Sequence, residues 1–267
     1  SRMGVGFVKG IQGHDENFLK AAACAKHIAV HSGPEGIRHS FNAVVGKQDL
    51  YETYLPAFKA CVQEGHVEAV MGAYNCINGV PCCGNSLLLG VILRGEWGFE
   101  GHVVSDCGAI EDFHAGHHLT DTPAESAAMA MNNGCDLNCG NMYLYLKQAV
   151  REGMVDEGRL DEALVNLFTA RMKLGVLDRK EENPYDKIPY SVVDSEDMRR
   201  LNREAAARSV VLLKNQDGLL PLDKASLKTV GIIGPNANNR RALVGNYEGT
   251  ASRYWTISEG IQEYLGS

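Results

Sequence analysis

The sequence has no run of apolar residues long enough to cross a membrane, which takes about 20 consecutive residues in a helix. It also has no cluster of lysine and arginine, and its formal net charge is -7. A nucleic-acid binder or a protein attracted to anionic lipid carries a basic patch, so this charge excludes both classes. We therefore expect no nucleic-acid partner and no membrane partner, and a small neutral ligand fits better.

Metal-ligand spacing is absent as well, although the sequence contains eight cysteines. Cys135 and Cys139 form a CxxxC pair without nearby histidine, and Cys82 and Cys83 are adjacent. We expect no metal, no cofactor and buried free thiols, since free cysteine is among the most buried residue types. Reduced thiols slightly favour the cytoplasm, and localisation and oligomeric state are otherwise left open.

Short apolar runs alternate with amphipathic stretches from about residue 20 to residue 140, which is typical of repeated βα units with a parallel sheet. The pattern predicts four strands, at Ala21–His27, Glu68–Ala73, His102–Ser105 and Cys135–Leu137. It predicts helices around them, at Arg2–Gly13, Gln48–Glu64, Ser86–Trp97 and Thr122–Asn133. The last of these opens with a Thr cap, a proline and an acid.

After Gly140 the pattern changes to two helices, Tyr143–Glu152 and Glu157–Leu174, followed by a charged segment with two prolines. That segment reads as a linker. We predict a first domain at 1–178, a linker at 179–193 and a second domain at 194–267, which opens with a helix at Ser195–Ala207 and a strand at Thr229–Ile233.

Polar residues follow each predicted strand, where the βα loops of a parallel α/β unit converge on one mouth. Asp106 ends an apolar strand and is followed by Cys107 and Gly108. Lys26 and His27 end the first strand, and Tyr74 follows the second. A carboxylate nucleophile must stay ionised, so neighbouring positive charge and donors have to lower its pKa. Lys26 and Tyr74 are the candidates for this, and the set suits attack on an anomeric carbon.

The run around Asp106, GHVVSDCGAI, closely resembles the nucleophile motif of glycoside hydrolase family 3. Other segments resemble the same family in its order: KHIAVHSGPEGIRHSF, ETYLPAFKACV, VMGAYNCINGVPCCGN, LRGEWGFEG, SVVLLKNQDGLLPL and VGIIGPNAN. The resemblance implies an α/β fold, a partial (β/α)8 TIM-type barrel followed by the start of an α/β sandwich domain. It implies Asp106 as nucleophile, with Lys26, His27, Met71 and Tyr74 lining the subsite for the non-reducing sugar.

The activity that the resemblance implies is a retaining, exo-acting β-glycosidase without a cofactor, acting on small neutral oligosaccharides or aryl glycosides. Cys107 follows Asp106 where many β-glucosidases have tryptophan, and the loop after His27 resembles the β-xylosidase branch. A β-xylosidase is therefore preferred, with a β-glucosidase or a non-catalytic carbohydrate-binding relative as the alternatives. One branch of the family uses a loop histidine paired with an aspartate, and it carries Asp-Ser-His in this loop. In this sequence Ile37 and Arg38 precede His39 instead.

The resemblance also implies a glutamate acid/base from the second domain, and neither Glu248 nor Glu259 lies in the matching motif. The sequence begins at what resembles a later barrel helix. We therefore expect an internal fragment with little turnover by itself, because retaining glycosidases need both carboxyl groups.

Overall fold

The computed structural model describes residues 1–266 and contains helices and parallel strands, which confirms the α/β class. The chain forms two compact units that divide between Lys187 and Ile188. This division falls within residues 179–193, and the domain boundaries proposed from the sequence stay a prediction. Each unit is described separately below.

The first unit contains two small sheets of three strands each. In chain order the strands are β1 (Cys24–Ile28), β2 (Asn42–Ala43), β3 (Ala69–Gly72), β4 (Cys76–Ile77), β5 (Val80–Pro81) and β6 (His102–Ser105). The main sheet has the order β1-β3-β6 with both pairs parallel, so its strands lie side by side in the order in which the chain makes them. Three of the four predicted strands are thus confirmed, β6 at its predicted bounds.

Helices connect and cover these strands. The α-helices and π-helices of the first unit are Arg2–Gln12, Lys47–Asp49, Leu50–Tyr54, Pro56–Gln63, Leu87–Glu96, Asp112–Ala115, Pro123–Asn132, Leu146–Arg151 and Glu157–Lys173. Its short 3-10 turns are Glu35–Ile37, Cys82–Gly84, Met142–Tyr145 and Pro184–Lys187. No helix in residues 1–266 combines the length and the apolar character that crossing a bilayer requires.

The main sheet and its helices share one hydrophobic core. Val70 of β3, Val103 of β6 and Ile28 of β1 are fully buried, and side chains such as Leu89 and Phe113 pack in the same cluster.

The predicted helix Gln48–Glu64 is wrong as a single element, because Pro56 interrupts it. Proline has no N–H to donate to the preceding turn, so the chain winds as a π-helix over Leu50–Tyr54 and starts again at Pro56. The helix predicted at Thr122–Asn133 is confirmed: Thr122 caps Pro123–Asn132, and Thr122 and Glu125 form a reciprocal capping box.

The predicted strand Cys135–Leu137 is wrong in extent, because only one residue pairs with β6. Leu137 forms an isolated parallel bridge with Val104, and the N–H groups of Asp136 and Leu137 both donate to the carbonyl of Val103. The chain then turns, with the N–H of Cys139 bonded to Ser105 Oγ at 3.0 Å. This turn ends the pairing after a single residue.

The described part of the second unit, residues 188–266, contains helices separated by turns and irregular segments. The helix Glu196–Ser209 is capped by Ser195, close to its predicted place, and Ile257–Leu265 opens with a capping box between Thr256 and Glu259. The remaining elements are 3-10 turns at Tyr190–Val192, Gln216–Gly218 and Arg241–Leu243. The strand predicted at Thr229–Ile233 is wrong for these residues, because an extended segment needs a neighbour for its backbone hydrogen bonds and none pairs with it there.

A buried carboxylate fastens the bridge after β6 to two helices. The side chain of Asp136 is 0% exposed and accepts from Arg94 Nη2 at 2.7 Å and from Arg159 Nη2 at 3.0 Å. It also accepts from the N–H of Val103 at 2.9 Å and from Asn166 Nδ2 at 3.1 Å. The Asp136 side chain therefore has a structural role.

We expect Asp136→Asn to lower the free energy of unfolding by about 3 kcal/mol, because it removes the charge that two partly buried guanidinium groups share. Urea unfolding of the variant and of the unaltered protein measures the difference. Asp161→Asn, at an exposed position of the helix Glu157–Lys173, is the control and should change it by less than about 0.5 kcal/mol. Equal effects of the two substitutions would contradict the structural role.

Candidate active site

Asp106 directly follows β6 and lies beside the end of β3. Its backbone N–H donates to the carbonyl of Gly72 at 3.1 Å, which extends the parallel ladder by one bond. Its Oδ1 accepts the N–H of Cys107 at 2.8 Å, and its side chain is 13% exposed. The carboxylate is thus fixed by backbone at a strand tip while part of it faces solvent.

His27 reaches this carboxylate from the neighbouring end of β1. The register with β3 pairs Lys26 with Met71 and Ile28 with Gly72, so His27 is an extra residue that forms a bulge. A bulge redirects a side chain, and here His27 Nε2 lies 3.3 Å from Asp106 Oδ2. Burial is the largest effect on the imidazole and lowers its pKa, while the Asp106 charge partly opposes this.

Lys26 and Met71 are neighbours across β1 and β3. Lys26 is exposed, and its charge lowers the pKa of His27, which places the ammonium near the site. Met71 is partly buried and pairs on its other side with Val104 of β6. Both residues therefore lie at the same strand ends as Asp106, and their contact with a sugar stays a prediction.

Tyr74 lies just beyond β3 and approaches the loop that follows Asp106. Its hydroxyl donates to the carbonyl of Cys107 at 2.8 Å. Burial raises the pKa of Tyr74 to about 12, with a further contribution from the Asp106 carboxylate. The phenol is therefore protonated at neutral pH and can donate a hydrogen bond beside Asp106. The structure brings together Asp106, His27 and Tyr74, as the sequence predicts.

Three more side chains surround Tyr74, and the sequence had given no function to them. Arg38 Cζ lies 5.1 Å from the centroid of the Tyr74 ring, and the His39 ring meets Tyr74 edge-on at 4.6 Å. His39 Nδ1 is 2.8 Å from Asp112 Oδ2. No local motif joins these residues, because His39 and Asp112 are 73 positions apart in the sequence.

A second group of side chains fixes the loop after β1. Asn75 is fully buried and donates to the carbonyls of Ala29 and Cys76. Its Oδ1 is 3.2 Å from His31 Nδ1, and the His31 ring lies 5.2 Å from that of His27. Asn75 thus holds the loop that carries His31 beside the site.

A disulfide joins Cys107 to Cys139, which makes the expectation of free thiols wrong for these two residues. The remaining cysteines, all within residues 1–266, are free, and Cys24 is exposed. The bridge depends on the turn after Leu137, because the Cys139 carbonyl accepts the N–H of Gly108 at 2.8 Å and brings the two loops into contact. The residue after Asp106 is therefore covalently linked to the next strand-end loop.

This arrangement can perform nucleophilic chemistry at a saturated carbon. Asp106 supplies a fixed oxygen pair, of which Oδ1 is held by a backbone donor. Neutral His27, with a lowered pKa, can donate from Nε2 to Oδ2 without transferring a full charge. The Tyr74 hydroxyl donates to the carbonyl of Cys107, the residue whose N–H holds Oδ1. Neutral donors leave the carboxylate more nucleophilic than a tight ion pair does, because they withdraw less charge from its oxygens.

Comparison with family models matches residues 1–170 to the glycosyl hydrolase family 3 N-terminal domain and residues 210–267 to the family 3 C-terminal domain. The chain therefore belongs to glycosyl hydrolase family 3. It is 43% identical to a xylan 1,4-β-xylosidase of Xylanibacter ruminicola over 98% of this chain and 31% of the relative. It is 41% identical to β-xylosidase/α-L-arabinofuranosidase 2 of Medicago sativa subsp. varia over 98% of this chain and 35% of that protein.

Solved structures agree with this placement. A family 3 exo-β-xylosidase in complex with a xylobiose aziridine probe superposes with a TM-score of 0.89 at 32% identity, covering 98% of this chain and 35% of that one. A β-glucosidase from Listeria innocua in complex with glucose gives 0.82 at 31% identity, covering 98% and 36%. The chain thus spans about a third of the length of its relatives.

We expect the pKa of His27 to lie below 6.5 and to fall further in Asp106→Asn, because the carboxylate charge favours the imidazolium form. An NMR titration of the histidine Cε1–H signals measures both values. Asp121→Asn, at an exposed loop position, should leave the His27 signal unchanged. An unchanged or raised pKa in Asp106→Asn would contradict the adjacency of the two groups.

We also expect alkylation of the denatured protein, purified without reductant, to modify six cysteines, and all eight after reduction. Mass spectrometry of the peptides counts them and identifies the linked pair.

Replacing Cys107 and Cys139 by serine should lower the free energy of unfolding by about 3 to 4 kcal/mol, since the bridge closes a loop over a separation of 32 residues. Eight modified residues before reduction would refute the bridge, and Cys24→Ser is the control for thiol loss.

Proposed function

We propose that the protein is a retaining, exo-acting β-glycosidase that removes terminal non-reducing β-linked sugars, with Asp106 as nucleophile. The observation that carries this proposal is the Asp106 carboxylate at the tip of β6, bonded to a backbone N–H at 2.8 Å and 3.3 Å from a neutral histidine. Lys26, His27, Met71 and Tyr74 would line the subsite around it, since β1 and β3 carry them to the same edge of the sheet.

In the first step an Asp106 oxygen attacks C1 of the sugar, and the bond from C1 to the leaving oxygen breaks. The electron pair of that bond goes to the leaving oxygen, which takes a proton from a general acid. The product is a glycosyl ester of Asp106 with inverted configuration. Neutral His27 can donate to an ester oxygen or to a nearby sugar hydroxyl, and the Tyr74 hydroxyl, which donates to the Cys107 carbonyl, holds the loop beside the ester.

In the second step water attacks C1, the same acid/base group accepts the proton of water, and the Asp106 carboxylate leaves. Two inversions give retention. We do not assign the acid/base group to Glu259, because the N–H of Thr256 and the Arg240 guanidinium lower the pKa of Glu259 to about 2. A carboxyl group with such a pKa is ionised at neutral pH and makes a poor general acid.

β-Xylosidase activity on small neutral xylo-oligosaccharides or aryl xylosides is the preferred form of the proposal. The relatives from Xylanibacter and Medicago are named as xylosidases, and Cys107 stands where many β-glucosidases have tryptophan. The Listeria β-glucosidase is the observation that favours a glucosidase as the second candidate. A non-catalytic carbohydrate-binding relative is the remaining alternative.

The finer architecture belongs to the same proposal. Three parallel strands in chain order, followed by the bridge at Leu137, have the arrangement of neighbouring strands in a (β/α)8 barrel. We infer that the first unit contributes such strands to a barrel and that the second unit belongs to an α/β sandwich domain. The boundaries that we propose are 1–178 and 194–267, with a linker at 179–193.

The proposal predicts that 2,4-dinitrophenyl 2-deoxy-2-fluoro-β-xyloside labels Asp106. Dinitrophenolate leaves without protonation, so the reaction reports on the nucleophile and not on the acid. The fluorine destabilises the transition state for hydrolysis and lets the ester accumulate. Mass spectrometry should find one added fluoroxylosyl group on the peptide that contains Asp106, and faster labelling than with the matching glucoside.

Asp106→Ala is the matched variant. It should lose the label and reduce hydrolysis of dinitrophenyl xyloside on the order of 10⁴-fold, comparable to the loss of a nucleophile in other enzymes. Azide should restore part of the rate and yield the α-xylosyl azide, because a small anion can replace the missing side chain. A label on another residue would refute the role of Asp106, no label with either sugar would favour the non-catalytic alternative, and faster labelling by the glucoside would favour a β-glucosidase.

A further inference from the structure

The strongest feature outside the expected sugar site is a chain of contacts that leads from Asp112 to Tyr74. Asp112 lies six positions after the nucleophile and starts the short helix Asp112–Ala115. Its side chain is 12% exposed, and its Oδ2 lies 2.8 Å from His39 Nδ1. Burial raises the pKa of this carboxyl group, and the His39 hydrogen bond opposes the shift. A carboxyl group held in this way acts as a fixed acceptor for His39.

The backbone at Gly116 is in close contact with the backbone of the loop that carries His39. A Cβ at Gly116 would lie 2.1 Å from the carbonyl oxygen of His39, so only glycine allows this approach. The carbonyl of Asp112 also accepts the N–H of His117 at 2.7 Å, and His117 Nε2 lies 2.9 Å from the carbonyl of Tyr74. The turn at residues 112–117 therefore contacts both the His39 loop and the backbone of Tyr74.

The contacts of His39 determine its tautomer. Arg38 Nε lies 3.1 Å from His39 Nε2, and a guanidinium group can only donate. His39 Nε2 must therefore accept, which leaves the proton on Nδ1, where it is donated to Asp112. Both ring nitrogens are engaged in this state. This state has no free proton for a leaving group, which argues against His39 as the general acid.

Arg38 and His39 also enclose the phenol ring of Tyr74. His39 packs edge-on against Tyr74 at 4.6 Å, and the Arg38 guanidinium lies over its face at 5.1 Å. The ring cannot tilt without breaking one of these contacts. Its hydroxyl donates to the carbonyl of Cys107, whose N–H holds Oδ1 of Asp106. The orientation of the ring thus sets the position of the hydroxyl beside the carboxylate.

We propose that Asp112 and His39 are positioning residues that hold the hydroxyl of Tyr74 against the nucleophile loop, so that Asp106 is aimed at the sugar. The proposal rests on the nucleophilic role of Asp106 proposed above. It assigns neither residue to substrate contact. Misplacement of a reacting group by about 1 Å can slow a reaction about 100-fold, so a remote pair can have a large effect.

The test compares rates of Asp106 labelling by the dinitrophenyl fluoroxyloside in the intact protein, in Asp112→Ala, in Tyr74→Phe and in the double variant. Asp112→Ala should slow labelling about 10- to 100-fold. In the Tyr74→Phe background the same change should slow it by less than about 2-fold, because the hydroxyl to be positioned is gone. Equal slowing in both backgrounds, or none in either, would overturn the proposal.

Two further variants separate positioning from simple loss of folding. Asp112→Asn keeps an oxygen that can accept the Nδ1 proton and should label within about 3-fold of the unaltered protein. His39→Ala removes a half-exposed ring and should slow labelling about as much as Asp112→Ala. His118→Asn is the control, since His118 is exposed, directly follows the turn at residues 112–117 and bonds to the carbonyl of His114.

A readout that needs no turnover separates this proposal from the proposed function. The ¹³Cζ signal of Tyr74 should shift in Asp112→Ala and in His39→Ala, and stay in place in His118→Asn. If this signal shifts in the two variants but Asp106 of the unaltered protein is not labelled, the proposed function is refuted and the positioning contacts are supported. An unmoved signal in both variants would overturn the positioning role.

Discussion

The carboxylate of Asp106 is held by donors from two parts of the first unit, and this constraint organises the site. The N–H of Cys107 fixes Oδ1 from the loop that follows Asp106, while His27 approaches Oδ2 from β1. The parallel register of β1, β3 and β6 brings these groups together, because it aligns the ends of all three strands. Without that register the two donors would lie at different heights along the sheet.

The disulfide and the buried ion cluster both fasten the short segment from Asp136 to Cys139. The Cys107–Cys139 bond links the loop after Asp106 to the turn after Leu137. The Asp136 carboxylate, one residue before Leu137, is paired with Arg94 and Arg159. Rigid support of this kind lowers the freedom that a nucleophile must otherwise lose on reaching its transition state. Stability and chemistry therefore depend on neighbouring residues of one short segment.

Local pattern was enough to predict the strands of the main sheet and the capped helix at Thr122, because alternation and capping are properties of neighbouring residues. It also gave Asp106, His27 and Tyr74 as one cluster, since strand ends converge. It failed at Pro56, where the missing donor was overlooked, and at Thr229–Ile233, where a strand depends on a partner. It could not give the Cys107–Cys139 bridge, because that pairing depends on a turn set by distant contacts.

The contacts around the ring of Tyr74 come from residues outside GHVVSDCGAI, the segment that contains Asp106. Asp112 and His39 are 73 positions apart in the sequence, so only the hydrogen bond and the ring packing of the folded chain bring them together. His39 can donate at Nδ1 and accept at Nε2 at once, which neither asparagine nor glutamine can do with the same spacing. An imidazole at this place is therefore a geometric requirement of the clamp on Tyr74, and its chemistry as an acid is not what the position uses.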